Sequence, residues 1–189
     1  MKGNADMKTP RRMATAAVLS LGLLGCAGAW AEAKVKVDGN AAILRVVAEI
    51  NADVDRAVAW GVLTDYNRWS EFVPDLVVSR VISRPGESLR LEQRGHFPSL
   101  PNLPLVMIIA VEESPPSVIR LQRVAGNVRN LVGEWQIQGK GPVRLIYRAV
   151  VEPGMPVPPE LSMDIFRAEA KTRLEAMARE MARRAGGKP

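Results

Sequence analysis

The segment from Leu76 to Val151 is cut into six short apolar-rich runs by stretches too brief to hold a crossover helix. The runs are 76–83, 89–97, 105–111, 118–124, 131–138 and 143–151. Between them lies turn chemistry: Arg84-Pro85-Gly86-Glu87, the proline-rich PSLPNLP at 98–104, Ser114-Pro115-Pro116-Ser117, Gly126-Asn127, and Gly139-Lys140-Gly141-Pro142. Parallel neighbours need a dozen or more connecting residues, so the runs predict an antiparallel meander with one face to bury.

The last segment supplies the cover. After EPGMPVPP at 152–159, residues 160–184 carry Met163, Phe166, Ala170, Leu174, Met177 and Met181 at spacings of 3, 4, 4, 3 and 4, with charges between them. That stripe predicts one long amphipathic helix. Ahead of the meander, KVKVDGNAAILRVVAEI at 34–50 reads as a strand, or as a short hairpin leading into one. Val54, Ala57, Val58, Gly61 and Val62 then follow the helical period, with Asn51 or Asp53 as cap. A second short helix is capped by Asp65 and stopped by Pro74, and Tyr66, Trp69 and Phe72 lie along one side of it.

The fold class is therefore α+β: a curved antiparallel sheet of seven strands wrapped around a long C-terminal helix, with two short helices after the first strand. A helix about 10 Å wide cannot fill the concave side of so wide a twisted sheet, and the space left is of the kind that holds small apolar molecules.

Residues 1–31 stand apart. Lys8, Arg11 and Arg12 precede the charge-free run MATAAVLSLGLLGCAGAWA at 13–31, the pattern of a secretory signal peptide. Ala29-Trp30-Ala31 fits ordinary cleavage before Glu32, the preferred reading; Leu23-Leu24-Gly25-Cys26 resembles a bacterial lipobox, which would remove 1–25 and place a lipid on Cys26. The expected organisation is a leader, an N-terminal extension at 32–40 and a ligand-binding domain at 41–185, exported to the periplasm or envelope of a bacterium. Either cut leaves no internal disulfide, because Cys26 is the only cysteine. Membrane association would come from a Cys26 lipid or from transient contact.

The net charge of +6 is inflated by the same leader, whose Lys2, Lys8, Arg11 and Arg12 face only Asp6. The remaining chain holds 22 basic and 19 acidic residues, with no dense basic tract outside the helix end at 179–184, which argues against a nucleic-acid partner.

VLTDYNRWSEFVPDL at 62–76, GEWQI at 133–137 and LIYRAVVEP at 145–153, in this order of elements, resemble the polyketide cyclase/dehydrase and coenzyme-Q-binding branch of the START-related (SRPBCC) superfamily. The resemblance covers residues 41–184 and rests most on Thr64-Asp65-Tyr66, Phe72-Val73-Pro74 and Gly133-x-Trp135. It implies the helix-grip fold, with a hydrophobic-ligand cavity between sheet and long helix entered near the short helices. Tyr66, Trp69 and Phe72 would lie near that entrance and Trp135 on a strand. Phe166 and Leu174 on the helical stripe complete the expected ligand contacts. Relatives that bind ubiquinone or act on ribosomes are cytoplasmic, and the leader departs from them.

No catalytic set emerges. His96 is the single histidine, and period two places it with Glu92 and Arg94 on a face that reads as solvent-exposed, opposite Leu89, Leu91 and Gln93. Neither a metal site nor a cofactor motif is expected, since no carboxylates cluster and no phosphate-cradling glycine loop occurs. Arg45 or Arg120, if turned inward, would be the polar anchor for an amphipathic ligand. The sequence thus points to a carrier of a lipid, quinone or polyketide-like molecule, with a cyclase or dehydratase and a protein-interaction module as rivals.

Overall fold

Strict alternation of buried and exposed residues builds the sheet: Leu44, Val46, Ala48, Ile50 and Ala52 are buried while their neighbours along the strand are more exposed. The same period runs through Leu131, Gly133, Trp135 and Ile137, and through Val143, Leu145 and Ala149. The computed structural model describes residues 32–97, 99–154 and 161–186; the leader, the cleavage sites and Cys26 lie outside them.

The strands are β1 (Lys34–Gly39), β2 (Leu44–Ala52), β3 (Leu76–Ser83), β4 (Ser88–Phe97), β5 (Leu100–Ser114), β6 (Val118–Gly126), β7 (Asn130–Gln138) and β8 (Val143–Glu152). They form one antiparallel sheet in the order β1-β2-β8-β7-β6-β5-β4-β3. The six-strand meander is as expected. The expected total of seven is corrected to eight, because 34–39 pairs with β2 as a separate edge strand, from Lys34 opposite Glu49 to Gly39 opposite Leu44.

A second correction concerns the proline stretch. Apart from Pro98, outside the described residues, and Ser99, it belongs to β5, whose pairing with β4 jumps from Pro104 opposite His96 to Leu100 opposite Phe97. A proline lacks the N–H of a regular ladder position, and such an irregularity accommodates it. Asn127 fastens the region from the neighbouring turn: its Nδ2 donates to Pro104 O at 2.6 Å and its Oδ1 accepts from Val106 N at 2.9 Å.

The helices are α1 (Arg56–Leu63), α2 (Trp69–Phe72), joined by a 3-10 turn at Tyr66–Arg68, and α3 (Ser162–Arg184). Helix α1 begins two residues later than its expected stripe, with Asp55 rather than Asn51 or Asp53 at the N-cap position and without a side-chain capping hydrogen bond. It buries Ala59, Val62 and Leu63, and leaves Ala57 and Gly61 exposed. Helix α3 buries Phe166, Ala170, Leu174, Met177 and Met181 as its spacing predicts, while Met163 is exposed. It packs on β1, β2, α1 and α2, toward one end of the sheet.

Candidate functional site

Because α3 leans on the β1–β2 end, the middle strands curve toward it across a gap. A cavity lies there, with about 70 Å³ in which the centre of a water-sized molecule can move. One such centre needs roughly 10–15 Å³, so the space admits several. Inward residues of six strands meet around it, which requires the sheet to bend strongly: Val46 on β2, Leu91, Gln93 and Phe97 on β4, Leu105, Met107 and Ile109 on β5, Leu121 on β6, Leu131 and Trp135 on β7, Tyr147 and Val151 on β8. Trp69 of α2, Val128 of the β6–β7 turn, and Phe166, Glu169, Ala170 and Arg173 of α3 complete it.

The aromatic side chains brace one another. Trp135 and Tyr147 have ring centroids 4.7 Å apart, and Phe97 and Phe166 meet edge to face at 5.6 Å. Trp69 is held by its Nε1 donating to Val62 O at 3.2 Å and by a tilted contact with Tyr66.

The polar groups of the wall are few. Arg173 donates from Nε (3.2 Å) and Nη2 to Glu169 Oε1, and its Nη1 donates to Gln93 Oε1 at 3.4 Å. The side chain is mostly shielded, at 14% exposure; burial alone would lower its pKa, but the charge and hydrogen bond of Glu169, with Tyr147 and Asp75 adding, hold it above the usual arginine value. Tyr147 is pushed up to about 12, first by burial, so its phenol stays protonated at neutral pH.

The expected site residues divide. Trp69, Trp135 and Phe166 are on the cavity wall. Tyr66 is buried beside it, its hydroxyl donating to Glu113 at 2.9 Å, and burial together with that carboxylate raises its pKa. Phe72 packs under Arg184, whose guanidinium carbon is 5.9 Å from the ring centroid, and Leu174 is fully enclosed in the core. Arg45 and Arg120 are not inward. Alternation with the inward Val46 and Leu121 turns them to the outer face, where Arg120 pairs with Glu134 at 3.2 Å. The cavity's cation is Arg173 instead.

Arg173 escaped sequence reading because it flanks the apolar stripe of α3 instead of interrupting it; its spacing of seven from Phe166 and three from Ala170 is the signal that would have found it. Gln93 was legible, a lone amide in the apolar row of Leu89 and Leu91.

His96 is not on the cavity wall. It follows the outward alternation of β4, 3.7 Å from Asp75 through Nδ1, while Glu92, expected to face solvent, is buried beneath Arg80 and Arg94, which both pair with it. Gly95 lets β4 pass close beneath the chain leaving α2: a Cβ there would sit 2.0 Å from Asp75 O. The outer face of β2 and β5–β8 carries a wider groove, lined by Arg45, Glu112, Arg120, Glu134 and Arg148 with exposed Val132 and Val150. Among the described residues, no group of three or more His, Cys, Asp or Glu side chains could hold a metal, and no helix is long and apolar enough to cross a membrane.

The fold has known counterparts. The family model for polyketide cyclase/dehydrase and lipid transport matches residues 52–178. Among solved structures, the Zhui aromatase/cyclase of a Streptomyces species is 14% identical, with a TM-score of 0.65 over 77% of this chain and 99% of that one. A STAR-related lipid transfer protein from Xanthomonas axonopodis is 15% identical, with a TM-score of 0.63 over 81% of this chain and 94% of that one. Human STARD10 is also 15% identical, with a TM-score of 0.62 over 82% of this chain and 70% of that one. At these identities the likeness is one of fold, the helix-grip fold. Among curated proteins, none matches the sequence.

Proposed function

Because the chain belongs to the polyketide cyclase/dehydrase and lipid-transport family, a hydrophobic ligand-binding fold, we propose that it is an exported carrier that holds an apolar small molecule between its sheet and α3. The observation that carries this reading is the cavity itself, walled by aliphatic and aromatic side chains with a single polar cluster. Carriage is favoured over catalysis by the state of that cluster. General acid–base chemistry needs a group free to exchange a proton near neutral pH, whereas Glu169 and Arg173 engage each other and Tyr147 titrates far above that range. Export is supported by the basic, then apolar, then small-residue order of the first 31 residues.

Native mass spectrometry of the protein purified from its own envelope fraction, followed by organic extraction, tests both parts. The expected result is one apolar molecule per chain on a polypeptide beginning at Glu32. A polypeptide beginning at a lipidated Cys26, moved to the aqueous fraction by Cys26→Ala, would replace the free carrier with an anchored one. An empty protein that stays empty when incubated with quinones and phospholipid vesicles would overturn the carrier reading.

A further inference from the structure

An arginine side chain has donors only, so an amide that meets it must present its oxygen. Gln93 does so, its Oε1 accepting from Arg173 Nη1, and this fixes the direction of the other half of the amide. Gln93 is 1% exposed and lines the cavity, and its Nε2 has no hydrogen-bond partner among the described residues. A buried donor left unmatched is costly, and native interiors rarely retain one without a use. Arg173 adds to the surplus: of the five N–H groups of a guanidinium, its bonds to Glu169 and Gln93 engage three.

The charge at this end is already matched. Glu169 neutralises Arg173, and Asp75 lies close enough to act on both electrostatically. An anionic ligand would have to compete with two carboxylates, and a cationic one would meet the guanidinium. Every other direction from the cluster is apolar, toward Leu91, Phe97, Met107 and Trp135.

Resting on the carrier reading above, we infer that the cavity selects a neutral, largely hydrocarbon molecule bearing a carbonyl oxygen, which accepts a hydrogen bond from Gln93 Nε2 beside the Arg173–Glu169 pair. The class is that of apolar ketones, quinones and esters. Free fatty acids and plain hydrocarbons fall outside it.

Equilibrium dialysis of the full chain against three compounds of one shape tests this: 2-acetylnaphthalene, 2-ethylnaphthalene and 2-naphthoate. The ketone is expected to bind at least about tenfold tighter than the hydrocarbon and the carboxylate, one good hydrogen bond to a buried donor being sufficient for such a ratio. In Gln93→Met, which keeps the length of the side chain without its donor, the preference for ketone over hydrocarbon should fall to within about twofold. Equal binding of ketone and hydrocarbon to the unaltered protein, or tightest binding of the carboxylate, overturns the inference and leaves the carrier reading standing. Retention of the full preference by a folded Gln93→Met overturns it likewise. Failure of all three compounds to bind overturns the inference, and the incubation with quinones and phospholipid vesicles then decides the carrier reading separately. The comparison on the unaltered protein decides even if the variant does not fold.

Discussion

Two ion clusters on α3 use the same residue types for opposite ends. Arg173 and Glu169 face the cavity, whereas Glu180, 6% exposed, receives Arg183 and Arg184 in three hydrogen bonds of 2.7 Å. Arg184 reaches on to Asp65 at 2.8 Å and covers Phe72, so the basic end of the helix clasps the α1–α2 segment. The Glu180 carboxyl is lowered from 4.5 to about 2, chiefly by the hydrogen bond from Arg183 against the opposing effect of burial, with Arg184 adding. A folded-state value below the unfolded one stabilises above the unfolded value and is lost as pH falls through the folded one. Glu180→Gln preserves shape and removes charge. Its stability deficit against the unaltered protein is expected to be largest near neutral pH, to shrink below pH 4.5 and to vanish near pH 2, as measured by urea denaturation across that range. A deficit independent of pH would assign the role of Glu180 to packing alone.

At the scale of elements, α3 is held by the enclosed part of its stripe. Leu174→Ala, at 0% exposure, is expected to lower stability by about 2–5 kcal/mol, and Met163→Ala, at 38%, by under about 0.5 kcal/mol. Chemical denaturation of the two variants checks the contrast; similar losses would mean that the exposed first turn packs on something other than this chain. The stripe itself was legible, since a helix packed on a sheet shows its inward side as spacings of three and four, and so was the meander, since short turns leave antiparallel pairing as the only arrangement. Edge strand β1 was harder to separate from β2: Lys34 and Lys36 give it the charged, half-alternating character that edge strands have, and only its pairing distinguishes it from an extended tail. For Arg45 and Arg120, the neighbouring apolar Val46 and Leu121 already marked the inward face of each strand. What no local pattern encodes is convergence. Gln93 and Arg173 are 80 residues apart in the chain, and only the closing of α3 over the curved sheet makes them one site.

For the molecule as a whole, the cavity is a departure from close packing that the surrounding core could have closed. Left unfilled, a space of about 70 Å³ would cost about 2 kcal/mol at roughly 24 cal/mol per Å³, a sizeable fraction of the roughly 5–15 kcal/mol by which a domain is stable. A bound apolar molecule removes that cost, and Met107 on the wall, flexible and polarisable, lets the space fit occupants of differing shape. Ala170 is the place to separate the two uses of the volume, because it lies on α3 at the cavity wall and is 4% exposed. Ala170→Leu puts the protein's own methyl groups where the ligand would sit. If the space exists for a ligand, this variant should hold its thermal midpoint or gain a few degrees while losing at least about tenfold in affinity for 2-acetylnaphthalene. Dialysis and thermal unfolding of the same preparation read both quantities. Undiminished affinity in a variant of unchanged stability would place the ligand elsewhere, the wider groove on the outer face being the next surface to test. Lost affinity together with a falling midpoint would show a wall too rigid to accept even one added side chain, and hence a cavity whose shape, besides its polarity, limits what it carries.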